Sequence, residues 1–136
     1  MPYRTQVHIE PGAQTRDQKI VADSDTAISA GTGDVPVLAT SQLFAWCDQA
    51  SFELLAPGVP QGSTSVAMRV QLDHIRAASA GCVITIIATL ERVEGRRYVC
   101  VVSALDDQNH ELANGRVVRV LVELQPFLAK ASGSSE

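Results

Sequence analysis

One long apolar helix, followed only by strand-like segments, most limits how this chain can fold. The stretch VPVLATSQLFAWCDQASFELLAPG predicts a helix over residues 35–56, because Asp34 and Pro36 suit a helix start and Pro57 a helix stop. The later segments alternate with period two or are rich in β-branched residues. They predict strands over residues 63–75, 82–93, 97–105 and 111–124.

The rest of the chain predicts an α+β fold in which a curved antiparallel sheet wraps the helix. A weak first strand is expected over residues 16–28, a hairpin turn at Glu94-Gly95 and a bulge at Asn114-Gly115. Residues 1–15 are predicted to form a flexible N-terminal arm, residues 16–125 the folded domain, and residues 126–136 a disordered tail.

Composition excludes several classes of function. The chain has 136 residues, a net charge of -4 and mixed charges, so neither a nucleic-acid surface nor a membrane-binding surface is expected. Its three cysteines lie in apolar context without metal-site spacing, which predicts reduced thiols in a cytoplasmic protein and no metal.

Asp48 lies in the middle of the predicted helix, among apolar side chains. Winding the segment at about 100° per residue gives one solvent-facing stripe, formed by Gln42, Gln49 and Glu53. Asp48 lies about 100–140° away from that stripe. It is therefore either a structural residue, bonded to a backbone group or to an arginine of the sheet, or a functional carboxylate.

His74 and Arg119 are further polar residues at positions where apolar ones are expected. Strand alternation places Val66 and Met68 on the inward face and Ser65 on the outward face. His74 falls at the end of the same inward face, and Arg119 on the inward face of its own strand. The structural alternatives are a hydrogen-bonded histidine at the rim of the sheet and an arginine whose head reaches solvent.

Thr40, Asp48 and His74 together supply an orienting hydroxyl, a base or nucleophile, and a proton shuttle. That combination suits hydrolysis of an activated acyl group.

A resemblance to a known family is carried by four segments: VLATSQLFAWCDQA, VQLDHIRAASAG, LERVEGRRY and NGRVVR. Over about residues 23–124 the chain resembles hot-dog-fold thioesterases, most closely the fluoroacetyl-CoA thioesterase-like family. The resemblance implies a curved five-stranded antiparallel sheet wrapped around a long central helix. It also implies a homodimer whose sheets join edge to edge, with substrate near the subunit interface.

In that family a helix threonine, a carboxylate eight residues later and a histidine at the end of the next strand are catalytic. Thr40, Asp48 and His74 occupy these positions. The resemblance also implies that Arg119 contacts substrate and that the backbone N–H at Ala67 holds the carbonyl oxygen. Asp48 replaces a glutamate, which favours attack by an activated water molecule, and Ala67 replaces a glycine. Residues 31–34 hold no counterpart of the aromatic gate, so fluoroacetyl specificity is not implied.

The leading hypothesis is an acyl-CoA thioesterase acting on a short or compact acyl group, without metal or redox cofactor. Arg76, Arg96 and Arg97 are candidates for binding the CoA phosphates, with surface solvation as the alternative. The rival hypothesis is a non-catalytic hot-dog dimer that binds an acyl-CoA or similar ligand. A purely structural dimer is the third possibility.

Overall fold

The computed structural model of the chain describes residues 7–133, which form one five-stranded sheet and three α-helices. The helices are α1 (Ala27–Ala30), α2 (Thr40–Leu55) and α3 (Leu124–Ala131). The strands are β1 (Gln14–Ile20), β2 (Ser63–His74), β3 (Val83–Glu94), β4 (Arg97–Leu105) and β5 (Glu111–Glu123). Two short 3₁₀ helices, Asp23–Asp25 and Ala56–Gly58, complete the described secondary structure.

The sheet is antiparallel at every junction and has the strand order β1-β3-β4-β5-β2. One face of α2 packs against it and contributes Leu43, Leu54 and Leu55 to a core completed by inward side chains of the strands. The predicted α+β class, with five antiparallel strands and one long helix against them, is confirmed. The strand order leaves β2 at one edge of the sheet.

Helix α2 begins at Thr40, so the predicted start at residue 35 was wrong. The residues just before it are extended because the Leu38 N–H donates to the Ala78 carbonyl and the Ala39 N–H to the Asp25 carbonyl. These long-range hydrogen bonds outweigh the local preference of Asp34 and Pro36 for a helix start. Thr40 is consequently the first residue of the helix.

A bulge in β2 at Met68 changes which of its side chains face the core. Ala67 pairs with Arg119 and Arg69 pairs with Val118, so Met68 is left over. The extra residue reverses the alternation on its N-terminal side. Ser65, which is 4% exposed, therefore points inward, and its predicted outward orientation was wrong. Met68, predicted to point inward, is exposed.

The Asn114-Gly115 pair does not form the predicted bulge. It continues the regular ladder of β5, with Gly115 opposite Leu72. A glycine is required there for a steric reason, because a Cβ at this position would lie 1.9 Å from the Gln71 carbonyl oxygen. The glycine thus permits close approach of β2 to β5.

Substituting Gly115→Ala is expected to lower the free energy of unfolding by about 3 kcal/mol or more, since backbone atoms must move apart. Chemical denaturation measures the change. Asn114→Ala, one residue away on the opposite face of β5, is the control and should cost about 0.5–1 kcal/mol. Equal stability of Gly115→Ala and wild type would contradict the close approach.

The N-terminal boundaries also differ from the prediction. Strand β1 ends at Ile20 rather than continuing to residue 28, because the chain then enters the 3₁₀ helix Asp23–Asp25 and α1. The predicted arm falls partly on residues 1–6, which lie outside the described residues. From Val7 onward the chain is attached, and the Val7 N–H donates to the buried Tyr98 hydroxyl at 2.8 Å.

The predicted disordered tail is corrected as well, because α3 spans Leu124–Ala131. Pro126 lies in the first turn of this helix, where its missing N–H leaves no intrahelical bond unmade. Residues 134–136 lie outside the described residues. No helix within residues 7–133 is long and apolar enough to cross a membrane.

Candidate active site

Thr40 and His74 are in direct contact, although 34 positions separate them in sequence. The hydroxyl of Thr40, at the start of α2, lies 2.8 Å from Nδ1 of His74, at the end of β2. The corrected helix start produces this contact, because the extended segment before Thr40 is tied to the Ala78 loop that follows β2. The structure thus brings together two of the three predicted catalytic residues.

The other ring nitrogen of His74 indicates which partner donates. Nε2 is buried and forms no hydrogen bond within residues 7–133. A buried N–H without an acceptor is rare in proteins, so the tautomer with the proton on Nδ1 is favoured. His74 then donates to Thr40, and the exposed Thr40 hydroxyl keeps its own proton for a ligand.

A pocket of about 490 Å³ opens beside this pair. Thr40, Ser41 and His74 form its polar side, together with Arg76. The remaining wall is made of small and aliphatic residues: Ala27, Thr32, Gly33, Val35, Val37, Leu38, Ile75 and Ala77. The segment 31–34 therefore borders this pocket, and no Phe, Tyr or Trp from residues 7–133 lines it.

Asp48 forms an ion pair with Arg119 in the middle of α2. Nη1 of Arg119 lies 2.6 Å from Oδ1 of Asp48. Arg119 is only 6% exposed, so its guanidinium stays inside and does not reach solvent at the sheet edge. Asp48 is thus bonded to an arginine of the sheet, which is the contact that the structural alternative predicted. This contact leaves Oδ2 of Asp48 without a hydrogen bond among the described residues.

The face of α2 that carries Asp48 is apolar but uncovered. Phe44 and Phe52, one turn before and one turn after Asp48, are 40% and 44% exposed. The Asp48 side chain itself is 36% exposed. Asp48 lies off the polar stripe formed by Gln42, Gln49 and Glu53, as predicted, but this third face is partly exposed and meets the sheet through Arg119. Exposed aromatic side chains around a carboxylate mark a surface suited to another molecule.

The hydrogen-bonded pair Thr40–His74 and the ion pair Asp48–Arg119 are not in contact within one chain. Eight residues of α-helix separate Thr40 from Asp48, which is about 12 Å along the axis. Ala67 is paired with Arg119 and therefore lies on the Asp48 side. From Ala67 to His74 the strand extends about 23 Å. Each chain thus carries two half-sites: Thr40 with His74, and Asp48 with Arg119 and Ala67.

Two residues of the second half-site were not foreseen. Ser51 donates to the Asp48 backbone carbonyl at 2.6 Å and accepts from Arg119, and Ser65 accepts from Nε of Arg119 at 2.9 Å. Ser51 could have been found from its position one helical turn after Asp48. Ser65 could not, because the bulge that turns it inward has no clear signal in the sequence.

The three arginines considered for the CoA phosphates are dispersed. Arg76 lines the 490 Å³ pocket, and its Nε lies 4.0 Å from Oδ2 of Asp106. Arg96, in the β3–β4 hairpin, donates to the Leu121 carbonyl, and Arg97 follows at the start of β4. Arg76 is thus the one of these three that contacts the same pocket as Thr40 and His74.

Cysteine chemistry plays no part in either half-site. Burial, with a smaller contribution from the negative charge of Asp48, raises the pKa of Cys47 to about 12. Burial also raises the pKa of Cys100 to about 11, against a lowering effect of Arg119. The thiolate is the reactive form of cysteine, so both thiols are expected to be inert at neutral pH.

Titration of the native protein with a disulfide reagent at neutral pH is therefore expected to modify at most one thiol per chain, that of the half-buried Cys82. Unfolding in denaturant should expose all three. Rapid modification of Cys47 in the native protein, identified by peptide mass, would contradict the burial described. The variant Cys82→Ser should show no rapid modification.

The described part of the chain holds no group of three or more potential metal-ligating side chains. Both half-sites consist of organic acid, base and hydrogen-bonding groups. Such groups can transfer protons and donate hydrogen bonds.

Known proteins of similar sequence are thioesterases. A family described as fluoroacetyl-CoA-specific thioesterase matches residues 21–125. A curated relative, the fluoroacetyl-CoA thioesterase of Streptantibioticus cattleyicolor, is 32% identical over 94 residues. The matched region covers 69% of this chain and 67% of the relative.

Solved structures share the fold. A hot-dog-like protein from Thermanaerovibrio acidaminovorans is 27% identical, with a TM-score of 0.84 and coverage of 91% of each chain. A variant of the fluoroacetyl-CoA-specific thioesterase, solved in complex with fluoroacetate and CoA, is 26% identical. Its TM-score is 0.79, over 88% of this chain and 99% of that one. The hot-dog fold expected from the sequence is confirmed by these neighbours.

Proposed function

This chain belongs to the fluoroacetyl-CoA-specific thioesterase family, and on that premise we propose that it hydrolyses a short or compact acyl-CoA thioester to free acid and CoA. The observation that carries the proposal is the 2.8 Å contact between Thr40 and His74 beside a 490 Å³ pocket. Members of this family of hot-dog fold act on CoA thioesters, and the relative solved with fluoroacetate and CoA supports such a ligand here.

The proposed mechanism uses Asp48 as a general base. Its free oxygen accepts a proton from a water molecule whose oxygen bonds to the thioester carbon. The carbon–sulfur bond then breaks: the leaving sulfur takes the Thr40 hydroxyl proton, Thr40 takes the Nδ1 proton of His74, and His74 gains a proton at Nε2 from solvent. Asp48 releases its proton to solvent, so that one water is consumed for each acid and thiol released. Backbone N–H groups near Ala67 would stabilise the oxyanion.

The proposed active unit is a homodimer, because one chain leaves its half-sites about 12 Å apart along α2. In a two-fold dimer whose axis is perpendicular to α2, the two α2 helices run antiparallel. Phe44 lies midway between Thr40 and Asp48, so an axis near the exposed Phe44 would bring Asp48 of the partner subunit opposite Thr40. Strand β2, at the sheet edge, is available for pairing with its own copy in the same dimer.

The composition of the pocket supports a compact acyl group rather than fluoroacetyl selectivity. Thr32 and Gly33 stand where an aromatic gate would be needed, and the neighbouring wall is aliphatic. Arg76, on the same pocket, is the proposed contact for a CoA phosphate. The pocket therefore offers apolar contact to the acyl chain and a positive charge to the nucleotide.

A panel of acyl-CoAs of increasing chain length, assayed by release of free thiol, tests the proposal. We expect hydrolysis of at least one short or branched acyl-CoA, with kcat/KM in the range of about 10⁴–10⁸ M⁻¹s⁻¹. Absence of thiol release across the whole panel would reject the hydrolase.

The alternative function is a non-catalytic dimer that binds an acyl-CoA. The commitment of Oδ1 of Asp48 to Arg119 favours it, because half of the carboxylate is occupied. Calorimetry that shows acyl-CoA binding by a protein that releases no thiol would select this alternative.

A further inference from the structure

The guanidinium of Arg119 is almost fully used by protein acceptors. Its Nε donates to the Ser65 hydroxyl at 2.9 Å, and Nη2 donates to the Ser65 carbonyl at 3.1 Å. Nη1 donates to Oδ1 of Asp48 at 2.6 Å and to the Ser51 hydroxyl at 3.2 Å, with a longer bond of 3.5 Å to the Asp48 carbonyl. Because an arginine has five N–H donors, two of them on Nη1, these bonds use four and leave one N–H of Nη2 for any other partner.

The surroundings of Arg119 also shield its head group, because the residue is only 6% exposed. The guanidinium lies 5.5 Å from the centre of the Phe52 ring, which covers it on one side. Ser51 and Ser65, which hold the guanidinium, are themselves buried. The side chain is therefore fixed between α2 and β2 and does not line the 490 Å³ pocket.

We infer that Arg119 is a positioning residue for Asp48 and does not contact substrate, an inference that rests on the proposed thioesterase function. Ser65 fixes the guanidinium from the strand, and Ser51 fixes it from the helix while donating to the Asp48 carbonyl. The guanidinium in turn fixes Oδ1 of Asp48, so that Oδ2 points at the attacking water. Ser51 and Ser65 thereby become parts of the catalytic framework.

The side chains of Arg119, Ser51 and Ser65 form a clamp on Asp48, and the short aspartate side chain gives this clamp a physical rationale. An aspartate side chain has two rotatable torsions, and one of its oxygens must be held if the other is to be aimed. A charge-assisted bond from a buried arginine is short and directional. Misplacement of a base by about 1 Å can lower the rate about 100-fold, and we expect a loss of this size when the clamp is removed.

A double-mutant cycle on the full-length dimer tests the inference. Arg119→Met should lower kcat about 100-fold and leave KM within about twofold of wild type. In the Asp48→Asn background the same substitution should lower kcat no further, because Arg119 acts only through Asp48. Arg119→Lys should restore part of the lost kcat. The control Arg69→Met, an exposed arginine on the outer face of β2, should leave both constants unchanged.

Opposite results would overturn the inference. A KM raised tenfold or more by Arg119→Met, persisting in the Asp48→Asn background, would identify a substrate contact. A lowered Tm with unchanged kcat would identify a purely structural ion pair. Ser65→Ala removes one hydroxyl oxygen and is expected to fold. It should lower kcat several-fold at constant KM, and unchanged kcat would also count against the clamp.

Failure of the proposed function is distinguishable from failure of this inference. If the wild type releases no thiol from any acyl-CoA, the hydrolase proposal fails. Calorimetry with CoA then decides the role of Arg119. An unchanged Kd for Arg119→Met, within about twofold, supports a residue that does not contact the ligand, and a tenfold weaker Kd contradicts it.

Discussion

Replacing Asp48 by asparagine is expected to lower kcat by about 10²–10⁴-fold while KM stays near the wild-type value. The amide is nearly isosteric and can still accept a hydrogen bond from Arg119 through its oxygen, so the fold around α2 should survive. It cannot accept a proton from water, so the attacking nucleophile is no longer activated. Steady-state kinetics on the best substrate of the acyl-CoA panel measures the loss.

The control for this substitution is Glu53→Gln, which removes an exposed carboxylate from the same helix. It should leave kcat and KM unchanged, because Glu53 faces solvent and its carboxylate accepts a hydrogen bond from Gln49 rather than from either half-site. Full activity of Asp48→Asn would contradict general-base catalysis by Asp48. Equal losses in Asp48→Asn and Glu53→Gln would point to a general effect of charge on the helix.

Replacing His74 by asparagine is expected to lower kcat by about 10²-fold or more. The amide nitrogen lies near the position of Nδ1 and can keep the hydrogen bond to Thr40, so the geometry of the pair is retained. An amide cannot gain or lose a proton at neutral pH, so protonation of the leaving sulfur slows. The loss should be largest for substrates with poor leaving groups and smaller for an activated aryl thioester.

His8→Asn is the matched control, since His8 is exposed near the N-terminal end of the described chain. Unchanged kinetics are expected for it. If His74→Asn loses no activity on either kind of substrate, the proton-transfer role is wrong and Thr40 acts without the imidazole.

The sequence predicted the main elements of the fold because their patterns are local. The strand 97–105 was predicted to the residue, and β2 and β5 each within one residue of the observed C-terminal end. Period-two alternation and turn residues suffice for such elements. The predicted start of α2 was wrong, because backbone hydrogen bonds from Leu38 and Ala39 to distant residues determine where the helix begins. No local pattern reports a contact of that kind.

The candidate residues were predicted with the same limits. Thr40, Asp48 and His74 could be proposed from the predicted direction of their side chains and from the family resemblance. Their grouping into two half-sites needed the three-dimensional structure. The Asp48–Arg119 pair joins residues 71 positions apart. The bulge at Met68 hid Ser65 by reversing the alternation. Pairings between distant elements and single-residue insertions in strands thus set the boundary of what one sequence can predict.

Mixing two inactive variants tests most directly whether the proposed site is shared between subunits. Asp48→Asn and His74→Asn are unfolded together in equal amounts and refolded, so that about half of the dimers are hybrids. One of the two sites in each hybrid then combines His74 of one chain with Asp48 of the partner subunit. The mixture should recover about one quarter of the wild-type acyl-CoA hydrolysis. Activity no greater than that of the two parent variants would contradict a thioesterase site built from two half-sites.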